Sequence, residues 1–268
     1  MGRGAVMGLF KRKTPKVEFF NPIVGVIEHF PITPAHKFPM PWRKKLARYI
    51  KTREKVEAYV TKAQLCSGIG ELLTNSFVIC APMDYKITTN GDLSSYQWKI
   101  PREIPTEWTA GETPVSCFPS DSWGDHVDLP GNTLKTIIKF NTYWGVTLPK
   151  GWGLMLSPST YFEENRFTAT SGLLVPEQSR QINIPVFWHV LDDTTVIKAG
   201  TPLALLTLIK LDDKPDYLLR VKTEKDFFEQ KQLDLAHGIS FTAPSSMFLP
   251  KISSALKKLS GRTGRKNL

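Results

Sequence analysis

The residues with the most chemical potential are His126 and Asp128, in the stretch GDHVD, joined far downstream by His189. Two imidazoles and one carboxylate are the donor set of a facial ferrous site, whose open positions take oxygen and a co-substrate. A 2-oxoglutarate oxygenase also needs a cation for the co-substrate carboxylate about ten residues past the second His, and Lys198 stands near that place. The competing reading puts His189, in the apolar run VFWHVL, on a sheet face as a hydrogen-bonded histidine. Asp121, Asp125 and Asp128 offer oxygen ligands to Ca²⁺, but not at the spacing of an EF-hand loop, and a polar surface loop is the better reading. The pairs Glu163-Glu164 and Asp192-Asp193 read as turn carboxylates facing water. Cys66, Cys80 and Cys117 show no Cys-x-x-Cys spacing, which points to small buried hydrophobes rather than a thiolate metal site. Cys66 with His29 or His36 would make a nucleophile–base pair, yet nothing in the sequence brings them together. A nucleophile elbow and a phosphate-cradling glycine loop are both missing.

A second class of chemistry is electrostatic. The formal net charge is +10, and it is unevenly spread. Residues 1–62 hold 14 Lys and Arg against 4 Asp and Glu, residues 63–242 hold 15 against 21, and residues 243–268 hold 6 against none. A mildly acidic body therefore carries two basic ends. Lys11, Arg12 and Lys13, with Trp42, Arg43, Lys44 and Lys45, mix cations with an aromatic and are the candidate partner-binding residues. Such segments neutralise phosphates or acidic protein surfaces without reading sequence. The acidic body argues against a nucleic-acid platform across the main domain, so nucleic acid is a candidate partner at the termini alone. No window approaches the roughly 18 consecutive apolar residues that span a bilayer. The N-terminal MGRGAVMGLFKRK has its basic residues after the apolar part, the reverse of a secretory signal.

The elements that would position these groups are mostly strands. Twenty prolines and eighteen glycines spread over the chain favour many turns and short strands over a helical bundle. Residues 1–18 read as a basic arm, and the Pro-punctuated segment 19–41 as an extended wrap. A helix is predicted over 42–53, a strand over 55–61 and a short helix over 66–75, capped by Ser67 and stopped by Asn75. Strands follow at 76–82, 85–89 and 95–100, the last two joined by an Asn90-Gly91 hairpin turn. Residues 101–133 form an excursion too long for an ordinary connection. Six further strands are predicted at 134–141, 143–148, 152–157, 167–175, 182–190 and 200–211. Helices are predicted at 223–236 and 245–259, the latter amphipathic and basic.

Within this series, NTYWGVTLPKGWGLMLSPS (141–159) reads as a hairpin. Pro149-Lys150-Gly151 supplies the turn, and Trp144 and Trp152 flank it as a cross-strand aromatic pair. Together with SGLLVPEQSRQINIPVF (171–187) and IKAGTPLALLTLIKL (197–211), it resembles the dUTPase and dCTP-deaminase family over roughly 140–211. The resemblance implies a β-clip, usually trimeric. It also implies what this chain has lost. Ser159 stands where the family has its phosphate-binding Arg, and Val175 where it has the Asp that orients water. Glu177, two positions on, would have to take over that task. Gly200 and Ala204 remain in the late strand, without the family's Asp and Gln. The segments 66–85, 141–151 and 199–202 are also similar to a family of uncharacterised tailed-bacteriophage proteins, which implies a viral origin.

The sequence thus describes an all-β, antiparallel, clip- or sandwich-like domain over 54–215. A basic Pro-rich arm precedes it at 1–53 and a helical basic extension follows at 216–268. The expected role is a non-enzymatic virion protein, either a decoration or minor capsid protein or a tail-associated one. It would be homo-oligomeric, grip other virion proteins through its arms, need no cofactor and assemble in the host cytoplasm. The alternative is a nucleotide-processing enzyme with a reshaped site at Glu177 and Ser159.

Overall fold

A computed structural model describes residues 16–52, 67–101, 103–109, 111–175 and 177–211. Of these, 16–38 and 76–211 belong to one compact unit, and 39–52 and 67–75 to a second. In the first unit the strands begin with β1 (Glu18–Phe20), β2 (Thr33–Pro34), β3 (Ser76–Cys80), β4 (Tyr85–Thr89) and β5 (Tyr96–Lys99). They continue with β6 (Val115–Phe118), β7 (Ile137–Thr147), β8 (Trp152–Pro158), β9 (Phe167–Ala169) and β10 (Gly172–Leu174). The last are β11 (Gln181–Trp188), β12 (Thr194–Ile197) and β13 (Pro202–Lys210).

All described pairings are antiparallel, and they make three sheets. The first runs β1-β7-β11-β9, with β6 also on β7; the second runs β10-β8-β13-β3-β2; the third runs β12-β4-β5. The expected all-β antiparallel body is therefore present. Period-two patterning explains how it holds together. Along β11, Ile182, Ile184, Val186 and Trp188 turn inward while Asn183, Pro185 and Phe187 stay partly open. These inward residues share one apolar cluster with Ile138 and Phe140 of β7, Leu154 and Leu156 of β8, and Leu206 of β13. Each such buried side chain contributes about 1.5–3 kcal/mol of transfer free energy.

Several sequence expectations are corrected. The predicted strands 134–141 and 143–148 are one eleven-residue strand, β7, irregular in the middle. The 141–159 hairpin does not form. Gly151, at φ 76°, closes the turn, with Trp152 N–H donating to the Pro149 carbonyl at 3.2 Å, but β7 and β8 lie in different sheets. Trp144 faces Ile182 across the ladder, and Trp152 faces Lys210. The predicted strand 167–175 likewise divides into β9 and β10, in different sheets. The Asn90-Gly91 turn is longer than a two-residue hairpin. It spans residues 90–95, where the Asp92 carboxylate accepts from the backbone N–H groups of Ser94 and Ser95. The excursion 101–133 contains β6, paired with β7, and the short helix α4 (Thr106–Thr109).

The Pro-punctuated N-terminal segment is not simply extended. It carries β1, β2 and the one-turn α1 (Val26–His29). In the second unit, α2 (Pro41–Thr52) starts on Pro41, whose missing N–H costs nothing at a helix start. There α3 (Ser67–Thr74) ends where Asn75 returns its backbone and side-chain N–H groups to the Glu71 carbonyl, at 3.0 and 2.8 Å. The strand predicted at 55–61 and the helices predicted at 223–236 and 245–259 lie outside the described residues.

Candidate functional site

The ferrous-site residues are placed individually, each in its own local network. His189 is half-buried, and both ring nitrogens are occupied: Nδ1 by the Thr133 hydroxyl at 3.2 Å and Nε2 by the Thr168 hydroxyl at 2.8 Å. Burial holds its pKa below the usual histidine value. His126 is exposed, with Nε2 against the Asp121 carbonyl at 2.8 Å. Among the described residues no group of three or more His, Cys, Asp and Glu is placed to hold a metal ion. His126, Asp128 and His189 therefore do not gather, and neither do Asp121, Asp125 and Asp128. Asp125 instead pairs with Lys135 at 3.1 Å, and that hydrogen bond lowers its carboxyl pKa. Lys198 is committed to Asp84 at 2.8 Å.

The residues offered for nucleotide chemistry are also apart from any reactive arrangement. Ser159 is 7% exposed, and its hydroxyl faces the Leu203 and Pro202 carbonyls at 3.4 and 3.5 Å. It ties the end of β8 to the start of β13. Glu177 is exposed in the turn after β10, which the Val175 carbonyl closes by accepting from Gln178 and Ser179 at 2.9 and 3.0 Å. Val175, at the family's Asp position, thus serves the turn through its backbone.

Two further expectations change. Glu164 does not face water. Its side chain is 7% exposed, and Arg166 grips it, with Nε to Oε1 at 2.8 Å, while reaching the Val196 carbonyl at 2.7 Å. Burial alone would raise the Glu164 carboxyl; the Arg166 hydrogen bonds outweigh it and leave the pKa below normal. Cys117 is exposed, whereas burial pushes the Cys80 thiol up to about 12. Cys66 lies outside the described residues, as do Lys11, Arg12 and Lys13. Trp42, Arg43, Lys44 and Lys45 form the first turn of α2, where the Arg43 guanidinium sits 5.9 Å from the Trp42 ring centroid.

What sequence reading missed is the aromatic surface. A hollow of about 500 Å³ on the outer face of β6, β7 and β11 is lined by Phe118, Trp123, Ile137, Pro185 and Phe187, with the hydroxyls of Ser122 and Ser171 at its rim. Trp123 stacks on Phe187 at 5.4 Å, and the Lys139 ammonium lies 5.7 Å from the Phe118 ring. Phe118 and Trp123 remain 45% and 39% exposed. An adjoining hollow of about 430 Å³ shares Phe118, Thr170 and Pro185 and reaches down to Leu154 and Leu156. The one signal available was the alternation in β11, which assigns Pro185 and Phe187 to the outward face.

A third hollow, of about 260 Å³, sits at an irregularity in the first sheet. One edge of β7 pairs with β6 over Ile137–Phe140 and with β1 over Gly145–Thr147; β11 occupies the other edge. Between the two partners the register slips, and Tyr143 takes φ 57°. An L-residue there costs about 1–2 kcal/mol. The distortion is clamped from several sides. Asn141 donates to the Thr113 carbonyl, the Thr142 hydroxyl to the Ile182 carbonyl, and Asn21 to the Thr142 carbonyl at 3.1 Å. The Tyr143 hydroxyl reaches the Glu112 carbonyl at 3.2 Å. Burial, then the Glu112 charge, push the Tyr143 phenol up to about 12.

No protein-family model matches the sequence, and no curated protein matches it. Among solved structures the chain is similar to a dUTPase variant from phage phi11 of S. aureus, at 11% identity over 56% of this chain and 85% of that one, with a TM-score of 0.30. A dUTPase variant of Staphylococcus bacteriophage 80alpha gives the same identity and coverage with a TM-score of 0.31. A second 80alpha variant, with dUpNHpp, gives 12% identity over 52% of this chain and 92% of that one, at a TM-score of 0.24. Likeness at this level transfers no residue role.

Proposed function

We propose that this protein is a non-enzymatic component of a bacteriophage particle that binds neighbouring subunits, its own copies among them. The observation that carries this reading is the contrast between two kinds of surface. The side chains that could have been reactive are spent on internal hydrogen bonds, as at Ser159 and His189. The hollow of about 500 Å³ on β6, β7 and β11 is mostly apolar and aromatic, with exposed Phe118 and Trp123 in its lining. Contiguous exposed apolar surface of this kind suits association with another protein. Charge supplies the second half of the argument. Residues 1–62 are strongly basic and residues 63–242 mildly acidic, so the basic end of one copy suits the body of the next. Lys11, Arg12, Lys13 and the first turn of α2 are the proposed contact residues. On this reading the protein is assembled in the host cytoplasm and resides in the virion.

The test is mass spectrometry of gradient-purified particles, with copy number taken against the major capsid protein. A fixed ratio that survives salt washing is expected. Absence from particles, together with Mg²⁺-dependent hydrolysis of a deoxynucleoside triphosphate that Glu177→Gln abolishes, would overturn the proposal in favour of an enzyme.

A further inference from the structure

We infer that the hollow between β1, α4 and the slipped segment of β7 binds a small zwitterion: a bulky ammonium with an anionic group a few atoms away, as in betaine or the phosphocholine headgroup. This stands independently of the assembly role.

The walls come first. Trp108 on α4 and Phe20 on β1 line the hollow and stay 37% and 48% exposed, while Tyr143 and Trp144 line it from positions only 5% and 2% exposed. Trp144 is also part of the buried core, so the exposed rings of Trp108 and Phe20, with Tyr143 beside them, are the ones available to a cation, most strongly one that is weakly hydrated. Close packing builds one side. A Cβ on Gly145 would meet the Phe20 ring at 2.2 Å, so glycine is what lets that ring lie across β7.

The charges come second. Glu112 lines the same hollow, its carboxylate held by the Gln181 side-chain amide. Backbone bonds place it there: its N–H donates to the Thr109 carbonyl at 3.0 Å, and the neighbouring Gly111 N–H to the Thr106 carbonyl at 3.2 Å. Arg180 lines the hollow as well, and its guanidinium pairs with no carboxylate among the described residues. Two opposite charges thus share a space of about 260 Å³ without pairing with each other. A lone cation would be opposed by Arg180 and a lone anion by Glu112. A ligand carrying both charges satisfies both groups and leaves its apolar substituents for the rings.

The backbone comes third. Tyr143 holds a conformation that L-residues avoid, at a register slip, and is clamped there by bonds from Asn21, Asn141 and Thr142. Slips of this type re-aim a side chain, and strain that the surroundings over-determine gathers at binding sites. Here the re-aimed ring is the one that joins Glu112.

The experiment titrates the full chain with tetramethylammonium, glycine betaine and phosphocholine, read by calorimetry and by the indole N–H resonances. All three are expected to bind saturably and to shift the Trp108 signal, identified from Trp108→Phe. Trp108→Ala should abolish binding, and Glu112→Gln should weaken it by about tenfold. Arg180→Ala should weaken betaine and phosphocholine, whereas tetramethylammonium, which has no anionic group and is opposed by the guanidinium, should bind as well or more tightly. Both Trp108 and Arg180 are exposed, so an unchanged Tm is expected for their variants and separates lost binding from lost folding. Sedimentation with phosphatidylcholine vesicles then divides the sources: co-sedimentation assigns the site to a lipid headgroup, and binding of the free compounds alone assigns it to a soluble zwitterion. No saturable binding of any of the three, or an Arg180→Ala loss as large on tetramethylammonium as on betaine, overturns the inference.

Discussion

At the scale of single residues, environment decides role more than residue type does. His189 has the identity of a metal ligand, yet two threonine hydroxyls occupy its ring. Its lowered pKa has a consequence for stability. The unfolded chain takes up the proton near the ordinary value of 6.5, before the folded one does. The His189 contribution is therefore complete above 6.5 and lost as pH falls through the lower folded value. Thermal unfolding followed against pH should show this loss, and His189→Gln should remove it. Carboxylates with depressed values, such as Asp84 and Asp125, act in the same direction but only at more acidic pH, near and below 3.8. Glu164 offers a second residue-level prediction. Arg166→Met leaves a carboxylate with a 7% exposed side chain without its principal partner. The expected cost is about 1–3 kcal/mol by urea unfolding. The Glu164 pKa should also rise, because only the backbone N–H groups of Asn165 and residue 166 are then left to oppose burial. Sequence alone could suggest that His189 is a sheet-face residue, since its apolar neighbours say so. It could not find the Glu164–Arg166 clamp, because a doubled Glu before a β-strand looks the same in water or under a guanidinium.

At the scale of elements, the existence of strands was legible and their partners were not. Apolar runs bounded by turn residues located β4, β8, β11 and β13 to within a residue or two; β4 and β11 alternate as half-buried strands do, whereas β13 buries Leu203 to Leu206 in succession. Nothing local in Pro149-Lys150-Gly151 distinguishes a turn within one sheet from a turn between two. The Trp144–Trp152 pair was accordingly mistaken, and so was the undivided strand 167–175. The third hollow was illegible for the same reason: it exists where β1, α4 and the slipped segment of β7 meet, and a register slip has no sequence signature beyond the turn-like Asn141-Thr142. Gly145 tests this packing. Gly145→Ala forces the Phe20 ring aside and should destabilise the body by about 1–3 kcal/mol. Made on a Phe20→Ala background, the same change should cost distinctly less, since the ring that it strikes is gone. Equal costs in the two backgrounds, measured by urea unfolding, would mean that β1 does not hold Phe20 over Gly145.

At the scale of the whole molecule, two forces are available for association, and they respond differently to solvent. Attraction between basic ends and the acidic body is screened as the Debye length shrinks from about 10 Å at 0.1 M salt to about 3 Å at 1 M. Burial of the Phe118–Trp123–Phe187 surface is not screened, and high salt, if anything, favours it. Sedimentation of the full chain at the two ionic strengths should therefore show association that weakens with salt but does not vanish. Replacing Phe118 and Trp123 together by Ser should remove the salt-resistant part. Because both side chains are more than a third exposed, Tm should stay within about a degree or two of the parent. Replacing Lys11, Arg12 and Lys13 by Gln should weaken the salt-sensitive part instead, leaving the share that Arg43, Lys44 and Lys45 supply. If the aromatic substitutions leave salt-resistant association intact, the hollow on β6, β7 and β11 is not the contact. The salt-resistant part must then come from another apolar surface, because the basic ends account only for the part that salt screens.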